Sequence, residues 1–221
     1  MTNADRRAAL QAARAESLRA LLDDLLPLRG DEHVLDVGAG TGAFAFAVAP
    51  RVAHVTAVEL DEELAARGRD DAPPNVEVVA GDAQRLEAPS FSFDVAGCVR
   101  VLHHVHRPEL VVAELARVTK PGGTIVVADQ IAPADPLVAL ELTRFEQARD
   151  PSTTRVLSDG DLRALFDANG LVLRREKVVH EQRDLEEYLD LAGCEGPARE
   201  RARSLAPTGY EAVLAWYVLS R

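Results

Sequence analysis

Cysteine is scarce in this chain of 221 residues, which contains only Cys98 and Cys194. Two cysteines make neither a disulfide framework nor a zinc cluster, so we expect two reduced thiols in a cytoplasmic protein. Long apolar runs are also absent, because none approaches the roughly 18 residues that cross a bilayer. The first residues, charged from Asp5 to Arg7, lack the apolar segment of a secretion signal. These absences argue against a secreted disulfide scaffold and against a membrane protein.

Basic residues are outnumbered, with 25 Lys and Arg against 36 Asp and Glu, and the formal net charge is −11 at pH 7. An acidic surface repels nucleic-acid phosphates unless a basic patch is set apart from it. The one partial basic cluster, Arg199, Arg201 and Arg203, is diluted by Glu195 and Glu200. We therefore expect a small-molecule partner, and neither a nucleic acid nor a membrane, for a protein that is a monomer or a homodimer.

No linker, low-complexity stretch or repeat interrupts the sequence, which predicts one domain over residues 1–221. Short apolar or β-branched runs alternate with helical patterns. The predicted strands are 33–37, 54–58, 76–80, 93–98, 124–128, 171–179 and 210–219, and the predicted helices are 4–26, 43–49, 61–70, 108–118, 137–148 and 158–169. Residues 120–123, Lys-Pro-Gly-Gly, predict a turn. This alternation indicates an α/β protein with a doubly wound, mostly parallel sheet and helices on both faces, which binds ligands at the carboxyl ends of its strands.

A glycine-rich segment, Gly38-Ala39-Gly40-Thr41-Gly42, follows the first strand directly. Glycines let the backbone turn sharply and approach a ligand, and the next helix offers unpaired N–H groups. A tight turn without a ligand would leave the same pattern. So would a nicotinamide-dinucleotide site, because the glycines and Ala43 fit that fingerprint and Glu59 lies about twenty residues further on. Asp36 argues against the dinucleotide, since its carboxylate would repel a pyrophosphate and attract an ammonium or a sulfonium.

Two further acidic residues follow the next two strands. The Glu59 carboxylate, at the end of the second strand, can accept hydrogen bonds from both hydroxyls of a ribose. After the third strand, Gly81-Asp82-Ala83 offers a carboxylate to an adenine amino group and a backbone N–H to a ring nitrogen. A solvated charge and a helix-capping aspartate are the alternatives. Together with the glycine loop, the two acids favour a ligand that contains ribose and adenine.

In order and spacing, residues 34–42, Glu59 and residues 81–83, 93–95, 101–104 and 120–123 resemble the class I S-adenosylmethionine-dependent methyltransferases. The motifs are most similar to those of the branch that contains the quinone-biosynthesis and many small-molecule methyltransferases. The resemblance is strongest over residues 30–130. It implies a seven-stranded, Rossmann-like sheet whose last strand is antiparallel, and S-adenosylmethionine as the methyl donor, with S-adenosylhomocysteine as its product. The cofactor-binding residues that it implies are Asp36, Gly38, Ala39, Gly40, Thr41 and Gly42 for the methionine part, Glu59 for the ribose, Leu60, Asp82 and Ala83 for the adenine, and Val99 just past strand four.

Two regions depart from the family's pattern. Residues 1–30 provide one short helical cap and lack the longer aromatic-bearing cap of relatives. Residues 131–157 form an insertion between the fifth strand and its helix. Connections of this length are usually functional, so the insertion predicts a lid over the active site, with a plain surface connection as the alternative.

Methyl transfer from a sulfonium is a direct displacement, so the alignment of the acceptor matters and a catalytic triad is not required. Where the acceptor must lose a proton, His103 and His104 are the candidate bases, since histidine titrates near neutral pH. Asp129 is a candidate partner for a substrate hydroxyl or amine, and Arg149 for an acidic substrate group. No carboxylate stands at ligand spacing from these histidines, so no metal site is predicted.

The predicted function is therefore S-adenosylmethionine-dependent methylation of a small molecule. A protein that binds this cofactor without catalysis, as a regulator, is the alternative. A nicotinamide dehydrogenase is disfavoured, because Gly81-Asp82 and residues 120–123 have no role in it. The sequence does not distinguish methylation at oxygen, nitrogen, carbon or sulfur.

Overall fold

A computed structural model describes residues 16–207 and 209–221 of the chain. Strands and helices alternate over most of this length. The strands are β1 His33–Val37, β2 His54–Glu59, β3 Val76–Ala80, β4 Phe93–Val99, β5 Thr119–Gln130, β6 Val172–Gln182 and β7 Glu211–Ser220. The helices are α1 (residues 16–25), α2 Ala43–Val48, α3 Glu62–Asp70, α4 Pro108–Val118, α5 Pro136–Arg149, α6 Asp159–Ala168, α7 Leu185–Leu191 and α8 Gly196–Leu205.

The seven strands form one sheet in the order β3-β2-β1-β4-β5-β7-β6. Strand β7 runs antiparallel to both of its neighbours, and the other pairs are parallel. The strand order reverses between β1 and β4, which is where open α/β sheets bind their ligands. The predicted fold class, a doubly wound sheet with one antiparallel strand, is confirmed.

Successive side chains of the central strands enter two different apolar cores. On one face of the sheet, Leu35 and Ile125 pack in a core that includes residues of α4 and α6. On the other face, Val34 and Val126 pack in a core that includes residues of α1, α2 and α3. Because the central strands are covered on both faces, they are apolar throughout.

A third core lies beyond the end of β5 and away from these two. It gathers side chains of α5, α7, α8 and the first half of β7, including Phe145, Leu189 and Leu214. Helix α5 packs against α8. The insertion between β5 and α6 is therefore part of a folded layer with its own buried side chains.

Most helices begin at the local signals that the sequence carries. The Asp61 side chain accepts hydrogen bonds from the backbone N–H groups of Glu63 and Leu64 at the start of α3. Ser158 and Asp161 form the predicted capping box of α6. A proline, Pro108, occupies the first turn of α4. These boundaries agree with the predicted ones.

The turn predicted at residues 120–123 is wrong, because these residues lie inside β5 as a bulge. Gly122, at φ +77°, donates its N–H to the carbonyl of Arg221, 3.3 Å away, so the segment stays paired along the sheet. Lys120 contributes by placing its Nζ 2.8 Å from Asp94 Oδ1 in the neighbouring strand. The proline and glycines thus shape a bulge rather than a break.

Helices α7 and α8 were not predicted, and β6 extends to Gln182, beyond the predicted end. Helix α8 is polar and buries only Ala202, so it has no apolar stripe to reveal it. Residues 4–15 of the predicted first helix lie outside the described residues, and its remainder is α1. None of the helices in the described ranges has both the length and the apolar character that crossing a membrane requires.

Candidate active site

The glycine loop turns tightly at the end of β1. Gly38 has φ +70°, and a Cβ there would meet the side chain of Val101 at 2.5 Å, so no other residue fits. The N–H groups of Gly38 and Ala39 both donate to the Val58 carbonyl, at 2.8 and 3.0 Å. Gly40 has φ +57° with no atom within 4 Å of its Cβ position. The Val58 carbonyl therefore fixes the start of the loop, and there is open space beside Gly40.

Glu59, the last residue of β2, braces this loop. Its Oε2 accepts a hydrogen bond from the N–H of Gly40 at 2.7 Å, and its Oε1 accepts one from the N–H of Asp61 at 2.9 Å. A carboxylate has about four acceptor positions, so two remain for a ligand. The carboxylate thus stands at the open side of the loop with capacity for two hydroxyl donors.

Asp36 lies beneath the loop rather than in it, with 1% of its surface exposed. Its Oδ2 accepts a hydrogen bond from the N–H of Ala45, 3.0 Å away in the first turn of α2. Burial raises the pKa of Asp36 to about 7, against the lowering effect of that hydrogen bond, and the nearby charge of Glu59 adds to the rise. Asp36 therefore ties α2 to β1, and its charge responds to any cation bound above it.

The remaining predicted cofactor residues lie along the same edge of the sheet. Leu60 is 69% exposed just past β2, and Ala83 is buried beyond β3. Asp82 Oδ1 accepts from the N–H of Gln84 at 2.8 Å, which shapes the turn after β3. Val99 ends β4. Because β3, β2, β1 and β4 are adjacent in the sheet, their ends bring these residues together.

His103 and Asp129 form a hydrogen-bonded pair at the ends of β4 and β5. His103 Nδ1 lies 2.5 Å from Asp129 Oδ1, and the His103 N–H donates to Asp129 Oδ2 at 3.2 Å. Burial lowers the pKa of His103, but the charge and the hydrogen bond of Asp129 outweigh it, so the pKa lies above the usual value. Burial raises the pKa of Asp129, and His103 more than reverses that rise.

His104 stands next to this pair, with ring centroids 4.0 Å apart. Its Nδ1 lies 2.9 Å from the Ser152 hydroxyl, which belongs to the insertion. Burial and the charge of His103 lower the pKa of His104. The insertion is also pinned to this turn by Thr154, whose N–H donates to the His103 carbonyl at 2.8 Å.

A pocket of about 210 Å³ opens beside the two histidines. Its wall also contains Gln130, Tyr188 and Leu191. Three arginines complete it, namely Arg100 just past β4, Arg149 from α5, and Arg183 between β6 and α7. All four predicted catalytic residues thus lie close together, with Asp129 buried behind the wall that the other three help to form.

A buried carboxylate, Glu146, organises the far wall of the pocket. It accepts hydrogen bonds from Arg149 Nε at 2.8 Å and from the Tyr188 hydroxyl at 3.0 Å, and also from the Tyr210 hydroxyl. Gln130 Nε2 donates to it at 3.1 Å. Burial raises the pKa of Glu146, but Arg149 and these donors lower it overall, so the group stays ionised.

Sequence reasoning did not single out Arg100, Gln130, Glu146, Arg183 or Tyr188. One local signal was available, because Asp184 caps α7 by accepting from the N–H of Glu187. An aspartate followed three residues later by a glutamate is typical of a helix start and predicts the helix that carries Tyr188. The other four residues have no local signal that links them.

The fold and part of the sequence are similar to those of known methyltransferases. Residues 35–127 match the family model described as methyltransferase domain. A protein named uncharacterized methyltransferase YcgJ, from Bacillus subtilis, is 33% identical over 147 residues, which cover 65% of this chain and 58% of that protein. A demethylmenaquinone methyltransferase from Clavibacter sepedonicus is 36% identical over 137 residues, covering 60% of this chain and 54% of that protein. The chain thus spans little more than half the length of these curated relatives.

Solved structures agree with this assignment. A candidate methyltransferase from Bacillus halodurans superposes with a TM-score of 0.84 at 25% identity, over 91% of this chain and 97% of that one. The YcgJ structure superposes with a TM-score of 0.81 at 24% identity, over 92% and 97%, which shows the shared fold. The resemblance that the sequence motifs indicated is confirmed, because residues 35–127 match a methyltransferase domain model and the fold is that of solved methyltransferase structures.

Proposed function

We propose that this protein transfers a methyl group from S-adenosylmethionine to a small-molecule acceptor. The observation that carries the proposal is the position of the His103–Asp129 pair. The pair flanks a pocket whose wall begins at Arg100, one residue after Val99 at the end of β4. A proton acceptor therefore stands beside the edge where the glycine loop and Glu59 lie.

The residues at this edge fit the methyl donor. The open space beside Gly40 suits its methionine part, and the two remaining acceptor positions of Glu59 suit the ribose hydroxyls. Leu60, largely exposed, offers an apolar surface to the adenine. Asp36, buried below the loop, would ionise more readily with a sulfonium bound above it and would act without direct contact. When bound, S-adenosylmethionine supplies an activated methyl group, because its sulfonium is a good leaving group.

The reaction is a displacement, and a residue of this chain accepts the proton that the acceptor loses. The bound donor would supply its methyl carbon to a lone pair of the acceptor atom, and the electron pair of the carbon–sulfur bond would remain on sulfur. The acceptor's proton passes to His103 Nε2, since Nδ1 is held by Asp129. Asp129 fixes the ring orientation and stabilises the imidazolium that results. A hydroxyl or an amine is the acceptor group that such a base serves.

A cofactor-binding regulator without catalysis is the less favoured alternative. A buried histidine–aspartate pair and buried arginines are costly to maintain unless they are fully partnered or used. The pair faces a pocket rather than a packed core. This arrangement supports a catalytic role.

Thermal unfolding with S-adenosylmethionine and S-adenosylhomocysteine tests the proposal. A ligand at about 100 times its Kd adds about 2.7 kcal/mol to the stability and raises the Tm of a domain of this size by roughly 5–10 °C. We expect this shift for the wild type and its loss in Glu59→Ala, each compared with its own unliganded Tm. Glu77→Ala removes an exposed acid from the neighbouring strand and is the matched control.

No shift in the wild type with either compound would contradict the proposal. A shift of equal size in Glu59→Ala and in the control would show that Glu59 does not contribute to binding. The proposal that the protein binds S-adenosylmethionine would then still hold.

A further inference from the structure

The pocket wall is unusual in its charge. It contains three arginines, and among the described residues no aspartate or glutamate lines it. The carboxylates that pair with these arginines are Glu146, which is buried, and Glu181, and neither lines the pocket. The surface offered to an acceptor is therefore rich in N–H donors.

The guanidinium group of Arg149 has hydrogen-bond donors that no described residue accepts. Its Nε donates to Glu146 Oε2 at 2.8 Å, and within residues 16–207 and 209–221 its two terminal nitrogens donate no hydrogen bond. The closest other carboxylate oxygen, Asp150 Oδ2, is 4.0 Å from Nη2, beyond hydrogen-bond length. The Arg149 side chain is only 11% exposed, and guanidinium donors this buried are normally paired. Arg149 lines the pocket, so its two terminal nitrogens are available to a ligand there.

The guanidinium group is also held rigidly. Arg149 lies over the Tyr188 ring at 4.2 Å from its centroid, and Arg183 lies over the same ring at 4.4 Å. Arg183 is fixed in turn by Glu181 at 2.9 Å and by the Gln130 side-chain oxygen at 3.2 Å. A fork that is already oriented loses little entropy on binding a planar anion.

We propose that the acceptor carries a carboxylate and that the terminal nitrogens of Arg149 bind it in a bidentate manner. This inference rests on the proposed function and names its substrate class. A carboxylate matches the planar fork of arginine. Binding there anchors one end of the acceptor while its hydroxyl or amine lies toward His103, on the same pocket wall. The volume of about 210 Å³ suits a small hydroxy or amino acid rather than a drug-sized molecule.

The test compares benzoate with benzamide, which have the same shape and differ in charge. Each is titrated calorimetrically into the wild-type protein loaded with S-adenosylhomocysteine. We expect benzoate to bind at least about tenfold more tightly than benzamide, because hydrogen bonds to a charged group are stronger. Arg149→Gln is expected to abolish the preference. Arg163→Gln is the matched control, since Arg163 also pairs with a carboxylate on its own helix and lies near a tyrosine ring, far from the pocket.

Arg149→Gln leaves Glu146 without its cation and therefore carries a risk of misfolding. The double variant Glu146→Gln with Arg149→Gln removes both charges and keeps hydrogen-bonding groups in place, so it is measured alongside. Three outcomes would each overturn the inference. The wild type could bind benzoate and benzamide equally, it could fail to bind benzoate, or a folded variant without Arg149 could keep the preference for benzoate. The same titrations are run without S-adenosylhomocysteine, so a failure of cofactor binding is read separately from a failure of carboxylate binding.

Discussion

The edge of the sheet around the glycine loop, where the proposed cofactor-binding residues lie, and the pocket beside it are built in different ways. The edge uses backbone groups and the carboxylates of Asp36, Glu59 and Asp82, all from residues 36–99, and glycine geometry sets its shape. The pocket uses long side chains from β5, α5 and the segment around α7, joined by ion pairs and stacked rings. The first region is fixed mainly by hydrogen bonds of the backbone between adjacent strands, and the second by contacts between side chains. Changes in the pocket can therefore leave the edge of the sheet around the glycine loop intact.

The largest expected effect falls on the pocket and leaves the edge untouched. His103→Gln removes the proton acceptor, so we expect turnover to fall by about 100- to 10,000-fold with the affinity for S-adenosylmethionine unchanged. His106→Gln, in the same loop but exposed, is the control. The measurement is S-adenosylhomocysteine formation with an acceptor found by screening. In the wild type, the rate should rise with pH through the raised pKa of His103, because only the neutral ring accepts a proton.

A loss of turnover in His103→Gln that is matched by lost cofactor affinity would show that the two regions are not separable.

The second effect concerns the stability of the pocket wall. Glu146→Ala leaves the buried Arg149 without its carboxylate, so we expect a loss of about 3–5 kcal/mol in the free energy of unfolding. Glu63→Ala breaks an exposed pair with Arg67 and should cost less than about 1 kcal/mol. Urea denaturation of both variants provides the comparison. Similar losses in the two variants would mean that the buried network contributes no more than a surface pair.

The smallest effect concerns the edge, and its size depends on pH. The folded-state pKa of Asp36 is raised from 3.8 to about 7, so the folded state holds a proton that the unfolded chain has released. Stability therefore falls as pH rises from about 4 to 7. Asp36→Asn keeps an acceptor for the Ala45 N–H and lacks this loss, so its stability relative to that of the wild type rises with pH over this range. Unfolding curves at pH 4, 6 and 8 measure this difference, and parallel pH dependence in the two proteins would contradict it.

The strands and turns that form the edge of the sheet around the glycine loop could be predicted because their signals are local. A glycine loop that must turn at positive φ and an acid at a strand end occupy fixed positions relative to each strand. The capping box of α6 and the proline of α4 likewise act within a few residues. Each of these features can be interpreted without knowledge of the rest of the chain.

The pocket could be predicted only in part. His103, His104 and Asp129 were found because they follow β4 or end β5, at the ligand-binding edge. Glu146 and Arg183 come together only when α5 and the end of β6 meet beyond β5, and no periodicity reports that meeting. The bulge at residues 120–123 was missed for a similar reason, since its hydrogen bonds go to Arg221 at the other end of the chain.

The insertion of β7 between β5 and β6 has a consequence for synthesis. Strand β6 pairs with β7 alone, so it has no partner while residues 211–220 are still inside the ribosome. Until then, the outer edge of β5 is an open template on which a nascent chain could pair with another. The glycine loop and its strands have all their partners much earlier. The side of the sheet that carries the glycine loop can thus be complete while the side that carries the pocket still waits for the last strand.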